Sequence, residues 1–100
     1  MALALSGVCV GAAAETTLDA GKLLFNQTAV PACAVCHTLK HAGATGAIGP
    51  ILDELKPDET RVEKAIRNGV GVMPSYRDSL SEAQIKLLSA YVAKAAQGEP

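Results

Sequence analysis

Hydrophobic positions recur at helical spacing in three stretches, and nothing in the chain alternates strand with helix in the manner of a parallel α/β domain. Leu18, Leu24 and Phe25, with Ala20 and Gly21, predict a short helix over 18–27 that Thr17 or Asp19 would cap. Gly21 and Phe25 fall on one face at i, i+4. A glycine inside a helix costs about 1 kcal/mol against alanine, so a close approach by another element is expected at Gly21. Pro57-Asp58 opens a second helix, with Asp58 as N-cap, Glu59 in the first turn and Val62, Ala65 and Ile66 as its apolar face; Asn68-Gly69 ends it. Glu63 and Arg67, four apart on this helix, read as a solvated pair. A third helix starts at Ser81 with Gln84 three residues on, the spacing of a capping box. Ile85, Leu88, Tyr91, Val92 and Ala95 form its buried face, Tyr91 is placed to meet Gly21 and Phe25, and residues 97–100 read as a frayed tail.

The segments between these helices are shaped by proline and glycine. Val30-Pro31-Ala32 breaks the chain before a helical turn that is expected to run on toward His41. Residues 42–49 read as a Gly/Ala-rich loop ending in Gly49-Pro50. Residues 69–76, Gly-Val-Gly-Val-Met-Pro-Ser-Tyr, read as an apolar loop. No repeat or linker interrupts the chain.

One hundred residues bound the chain to a single domain. Residues 1–14 are uncharged and rich in Ala, Leu, Val and Gly, too short to span a bilayer. They resemble the hydrophobic region of a secretory signal, with Ala12-Ala13-Ala14 at a cleavage position before Glu15, although no Lys or Arg precedes the apolar run. The expectation is a signal remnant over 1–14 and one domain over 15–100, exported to the periplasm. Cys9 would leave with the signal, and Val8 before it argues against a lipoprotein anchor. Nine basic and ten acidic residues give a net charge of −1, so no nucleic-acid footprint and no polybasic membrane patch is present. With three aromatics and no Trp, so short a chain is hard pressed to fill a core unaided. Burying a large apolar cofactor would contribute on the order of 10 kcal/mol through apolar area.

That expectation has a sequence counterpart in Cys33-Ala34-Val35-Cys36-His37. A C-x-x-C-H run reads as a c-type haem attachment site: two thiols form thioethers to the two vinyl groups, and the adjoining imidazole becomes an axial ligand. A redox dithiol would want a thioredoxin-like βαβ setting. Zinc would need His37 and His41 as its other two ligands, crowding four donors into nine positions, where a finger separates its pairs by about a dozen residues. His41 reads instead as a surface histidine. Pro50 offers a carbonyl to His37 Nδ1, the kind of acceptor that sets a ligand histidine's tautomer. Met73 lies in a Gly-flexed loop before Pro74, which keeps it out of the helical region, and such a loop can present a thioether as sixth ligand.

Taken in order, Gly21/Phe25, the Cys33–His37 run, Gly49-Pro50, Met73-Pro74 and a final helix with Leu88 and Tyr91 resemble the small class I bacterial cytochromes c. The resemblance covers residues 18–96 and implies an all-α, single-domain fold of three main helices and short helical turns around one covalently bound haem c. It also implies iron ligation by His37 and Met73. Without Trp, hydrogen bonds to the haem propionates would come from Tyr76 or Arg77. A fainter resemblance, on Gly49-Pro50-Ile51-Leu52 and the run from Arg61 to Pro74, is to periplasmic cytochromes that accept electrons from molybdenum sulfite dehydrogenases.

The function expected is periplasmic one-electron carriage between a dehydrogenase and a terminal oxidase or other acceptor, through transient contacts with redox proteins and without a membrane anchor. Enzymatic activity is not expected, since no nucleophile–base or carboxylate pair stands out. Docking would use the exposed haem edge among Val30, Pro31, Ala32, Ala34, Val72 and Pro74, with Lys40 and Arg77 on the rim. A haem sensor or peroxidase with a labile distal ligand, and a fixed subunit of a respiratory complex, are the alternatives.

Overall fold

The computed structural model describes the backbone of residues 10–98 and side chains from residue 17 onward. The expected signal segment therefore falls largely outside the described residues. Helix α1 spans Val10–Leu23. It begins well before the predicted start, and Thr17 and Asp19 lie inside it instead of capping it. The Ala-rich run ahead of them has high helix propensity, and neither proline nor a turn residue interrupts it. α1 ends in one wide π-type turn, Leu24–Thr28, which buries Leu24 and Phe25 and closes with Ala29 N donating to Leu24 O at 3.1 Å.

α2 is a single turn, Cys33–Cys36. It does not continue to His41: His37 is already extended at φ −117° and ψ 140°. Strand β1, Thr38–Leu39, follows, then a 3-10 turn over Lys40–Ala42, and strand β2, Ala44–Thr45, pairs antiparallel with β1 in the register Thr38 with Thr45 and Leu39 with Ala44. Part of the expected loop over 42–49 is thus a two-residue ladder. Gly43, at φ 68°, takes the left-handed conformation that reverses the chain. Thr38 Oγ1 donates to Gly46 O at 2.8 Å and holds the second strand's exit against the first.

α3, Leu52–Leu55, is a further single turn, and its Asp53 carboxylate accepts from Lys40 N at 2.8 Å. α4, Glu59–Asn68, starts at the N-cap Asp58, whose side chain accepts from Arg61 N, and stops at Gly69. α5, Glu82–Ala96, opens on a complete Ser81/Gln84 capping box. Gln97 is its C-cap and donates through Nε2 to Lys56 O at 3.2 Å, so the chain end is tied down at that residue.

The three long helices meet through α5. Ile85 and Leu88 are fully buried, and Tyr91, Val92 and Ala95 join them in the core. A Cβ on Gly21 would lie 2.4 Å from Tyr91 Cβ, so α1 crosses α5 at a distance only glycine permits. Phe25 meets the Tyr91 ring edge-on at 6.3 Å, a favourable aromatic geometry. α4 is joined to α5 by Arg67. Its guanidinium pairs with Glu63 at 2.9 Å and forks onto both carboxylate oxygens of Glu82 at 2.6 and 2.9 Å, with Lys86 Nζ 3.9 Å from Glu63. The i, i+4 pair read from sequence is one edge of an inter-helix network.

Candidate haem site

The single turn α2 places Cys33 and Cys36 about one helical turn apart, and the extended His37 that follows ends the turn with its N donating to Cys33 O. Residues 46–50 fold over this turn. Ile48 N and Gly49 N both donate to Cys36 O, at 3.0 and 2.6 Å, and a Cβ on Gly46 would come within 2.6 Å of the α2 backbone. Gly49 lies against the imidazole, where a Cβ would sit 2.6 Å from His37 Cε1. The next residue supplies the acceptor: Pro50 O is 2.8 Å from His37 Nδ1. With Nδ1–H donating there, Nε2 is left with its lone pair, and it makes no hydrogen bond to the described residues.

Met73 is carried by the loop after α4. Gly69, at φ 75°, leaves no room for a side chain, since a Cβ would meet Met73 O at 2.7 Å. Val70 and Met73 then exchange backbone hydrogen bonds of 3.0 and 2.8 Å around Gly71, also left-handed at φ 57°. Tyr76 closes the loop in two directions. Its N donates to Ile66 O at 2.8 Å, and its hydroxyl donates to Pro31 O at 2.6 Å, tying the methionine loop to the segment before Cys33.

Cys33, Cys36, His37, Pro50 and Met73 all line one partly enclosed cleft of about 320 Å³. Its walls are otherwise mostly apolar, with Phe25, Leu52, Val62, Ile66, Leu88 and Val92 at their centre. Several wall residues have no role assigned from the sequence. Leu52 and Leu55 follow Pro50 on the unforeseen turn α3, and Arg61, exposed in the first turn of α4, also borders the space. A helix-wheel reading would find Arg61, four residues before Ala65 on the same face.

The site is electrostatically dry. Burial, more than the neighbouring Cys36, pushes the Cys33 thiol up to about 11. Tyr76 is pushed up to about 12, first by burial and then by the two cysteines. Thioether formation would neutralise both sulfurs and leave burial alone acting on Tyr76. Cys33 and Cys36 are not joined in a disulfide. His41 does not approach them: exposed on the 3-10 turn, its Nδ1 lies 2.8 Å from Tyr91 Oη. Among the described residues no group of three or more His, Cys, Asp or Glu could hold a metal ion, so a four-donor zinc site is not assembled.

Two donors expected for the propionates are otherwise engaged. The Tyr76 hydroxyl proton is given to Pro31 O, and Arg77 donates to Asn68 Oδ1 at 2.8 Å. Neither Lys40 nor Arg77 lines the cleft. A mostly apolar group able to bond two thiols would suit this cleft. The residues present fit haem.

A family model described as cytochrome c oxidase, cbb3-type, subunit III matches residues 16–92. The chain belongs to the cytochrome c family. Among solved structures this cytochrome is similar to the c-type cytochrome SorU from Sinorhizobium meliloti, at 44% identity over 85% of this chain and 95% of that one, with a TM-score of 0.79. No curated protein matches it significantly. The small all-α domain of the cytochrome, with its minor two-stranded ladder, is the fold expected from the sequence. Family membership implies covalently bound haem c and electron transfer, not enzymatic catalysis. No helix among the described residues is long and apolar enough to cross a membrane.

Proposed function

We propose that this cytochrome is a periplasmic one-electron carrier with a single haem c, attached through Cys33 and Cys36 and ligated by His37 and Met73. The observation that carries the reading is the convergence of two cysteines outside any disulfide, an imidazole held at Nδ1 by Pro50 O and a thioether on one apolar cleft. Bound there, haem supplies an iron centre that exchanges one electron. Cys33 and Cys36 prevent loss of the group. Pro50 O keeps the proton on Nδ1 of His37, so Nε2 is the donor atom and its basicity is raised. Met73, held by the Gly69–Gly71 turn, would offer its thioether to the iron from the opposite side of the cleft and would favour a higher potential than a second histidine. Ligation by both His37 and Met73 would leave the iron no open position for substrate, which weighs against the sensor and peroxidase readings.

Docking is assigned to the apolar rim of the cleft. Val72 is 90% and Val30 76% exposed, with Ile48 and Val35 beside the motif also exposed. Such a rim suits brief contact over an interface below about 1,200 Å². A net charge of −1 gives little long-range steering. For the electron donor we favour a molybdenum sulfite dehydrogenase, supported by the Gly49–Leu52 and Arg61–Pro74 resemblance and by the 44% identity to SorU. Export rests on the character of residues 1–14, and the family match beginning at residue 16 is consistent with a domain that starts there. The family description favours one second reading, a subunit of an oxidase complex.

Mass spectrometry of the denatured protein from cells with haem-maturation machinery tests attachment: one haem mass on the polypeptide is expected, and bare polypeptide overturns it. Met73→Ala should open the iron to added ligands and lower the potential, and an unchanged spectrum would exclude Met73 as ligand. Stopped-flow electron transfer with candidate dehydrogenases across ionic strength tests docking; a rate that collapses with salt would assign recognition to charges. Co-purification with an oxidase would favour the second reading.

A further inference from the structure

We propose that the Tyr76 hydroxyl is the positioning group that keeps Met73 on the iron, by clasping the methionine loop to the segment leading into Cys33. The proposal rests on the reading of Met73 as sixth ligand. The loop has little packing of its own to hold it in place. Val70 is 63% and Val72 90% exposed, and a Cβ on Gly71 would meet nothing within 4 Å. The two backbone hydrogen bonds between Val70 and Met73 stiffen the tip without joining it to the body of the domain.

Most other hydrogen bonds of the loop return to the helix from which it springs. Gly69 N donates to Ala65 O, Tyr76 N to Ile66 O, Ser75 Oγ to Arg67 O and the Arg77 guanidinium to Asn68 Oδ1, so each ends on α4. Among the described residues, the 2.6 Å bond from Tyr76 Oη to Pro31 O is the one made by residues 69–77 that crosses to the cysteine side of the cleft. Pro31 and Tyr76 both line that cleft. Tyr76 is a firm strut, because Leu80 N donates to its carbonyl at 2.9 Å and the residue is buried. The chain back to Met73 is stiff as well, since the Pro74 ring locks φ and Ser75 is held at Arg67 O.

The consequence is thermodynamic. A ligand from solution reaches the iron only when the loop is open, so its apparent dissociation constant is the intrinsic one divided by the open fraction. Swinging the loop outward breaks the bond from Tyr76 to Pro31. Deleting one hydrogen bond of ordinary net strength raises the open fraction by about 2- to 12-fold.

Tyr76→Phe keeps the buried ring and removes the hydroxyl alone. Holo wild type, Tyr76→Phe, Ser75→Ala and Met73→Ala are titrated with imidazole in the ferric state, followed by haem absorption, and are also unfolded in urea. The expected result is imidazole affinity raised by about 2- to 12-fold in Tyr76→Phe, with Ser75→Ala, which loses contacts only within the loop and to α4, near wild type. Wild-type affinity in Tyr76→Phe, even with a lowered urea midpoint, would make the hydroxyl merely structural and overturn the proposal. An equal gain in Ser75→Ala would do the same, as the sign of general loosening. Wild type binding imidazole as tightly as Met73→Ala would instead overturn the ligand reading, and absence of haem absorbance the haem reading. Should Tyr76→Phe not mature, proton NMR of ferrous wild type decides the matter. A Tyr76 hydroxyl proton shielded from water, and released when carbon monoxide replaces Met73, supports the clasp. A hydroxyl that exchanges freely from the start, or stays shielded with carbon monoxide bound, excludes it.

Discussion

Gly49 is the surface against which the His37 imidazole is set: a Cβ there would lie 2.6 Å from Cε1 and 2.9 Å from Nδ1. Gly49→Ala must turn the ring or push the loop outward, and either movement lengthens the 2.8 Å contact to Pro50 O. We expect a loss of about 1–3 kcal/mol in denaturant unfolding of the holoprotein, typical of overpacking. A less basic imidazole should also raise the midpoint potential. If stability and potential both stay at wild-type values, the glycine does not set the ring.

Gly21→Ala brings two effects into opposition. Helix propensity favours alanine by about 1 kcal/mol. Against this, the new methyl would lie 2.4 Å from Tyr91 Cβ, an atom attached to the backbone that cannot rotate away. Overpacking of about 1–3 kcal/mol should win, lowering the urea midpoint at unchanged m-value. A stabilised variant would mean the α1–α5 crossing relaxes freely.

Glu82 couples the α4–α5 junction to acid. The Arg67 guanidinium holds its carboxyl below the usual range, through hydrogen bonding first and charge second. A depressed folded-state pKa contributes stability that is present above the unfolded value of about 4.3 and is lost as pH falls through the folded one. Glu82→Gln should therefore lower stability on the neutral plateau, flatten the acid limb of the stability curve and reduce its salt dependence. Acid limbs that superimpose would show that the fork contributes nothing measurable, as many exposed pairs do.

Tyr91 should govern part of the alkaline limb. Burial pushes its hydroxyl up to about 12. Since the neutral form is favoured in the folded state, its contribution is intact below about pH 10 and disappears as pH rises from there toward the folded value. Tyr91→Phe should flatten the stability curve between these limits, at the cost of the 2.8 Å contact to His41. Parallel alkaline limbs in thermal melts of the two proteins would contradict this.

The helix ends marked by short-range chemistry are legible in the sequence. Asp58 reaching Arg61 N, Ser81 and Gln84 closing a capping box, and Gly69 ending α4 each depend on residues a turn apart, where spacing dictates contact. The start of α1 is not legible in the same way, because Thr17 and Asp19 have the chemistry of caps while an alanine run carries the helix past them. The strand pair at Thr38–Leu39 and Ala44–Thr45 leaves no periodic signal, since two residues per strand are too few to show alternation.

What the sequence determined by itself was the covalent logic: the C-x-x-C-H run, the cap chemistry, and the glycine and proline positions that shape the Met73 loop, all of them relationships over a few residues. What the tertiary structure decided lies in pairs far apart in the chain. Tyr76 gives its hydroxyl to Pro31, His41 leans on Tyr91, and Arg67 binds Glu82 where spacing alone shows only its i, i+4 partner Glu63. Arg61 is left as the charged residue on the cleft wall because the other two arginines found partners elsewhere. Periodicity shows which face of a helix is buried but not which distant donor meets which acceptor. That choice is made by how three helices pack around one cleft.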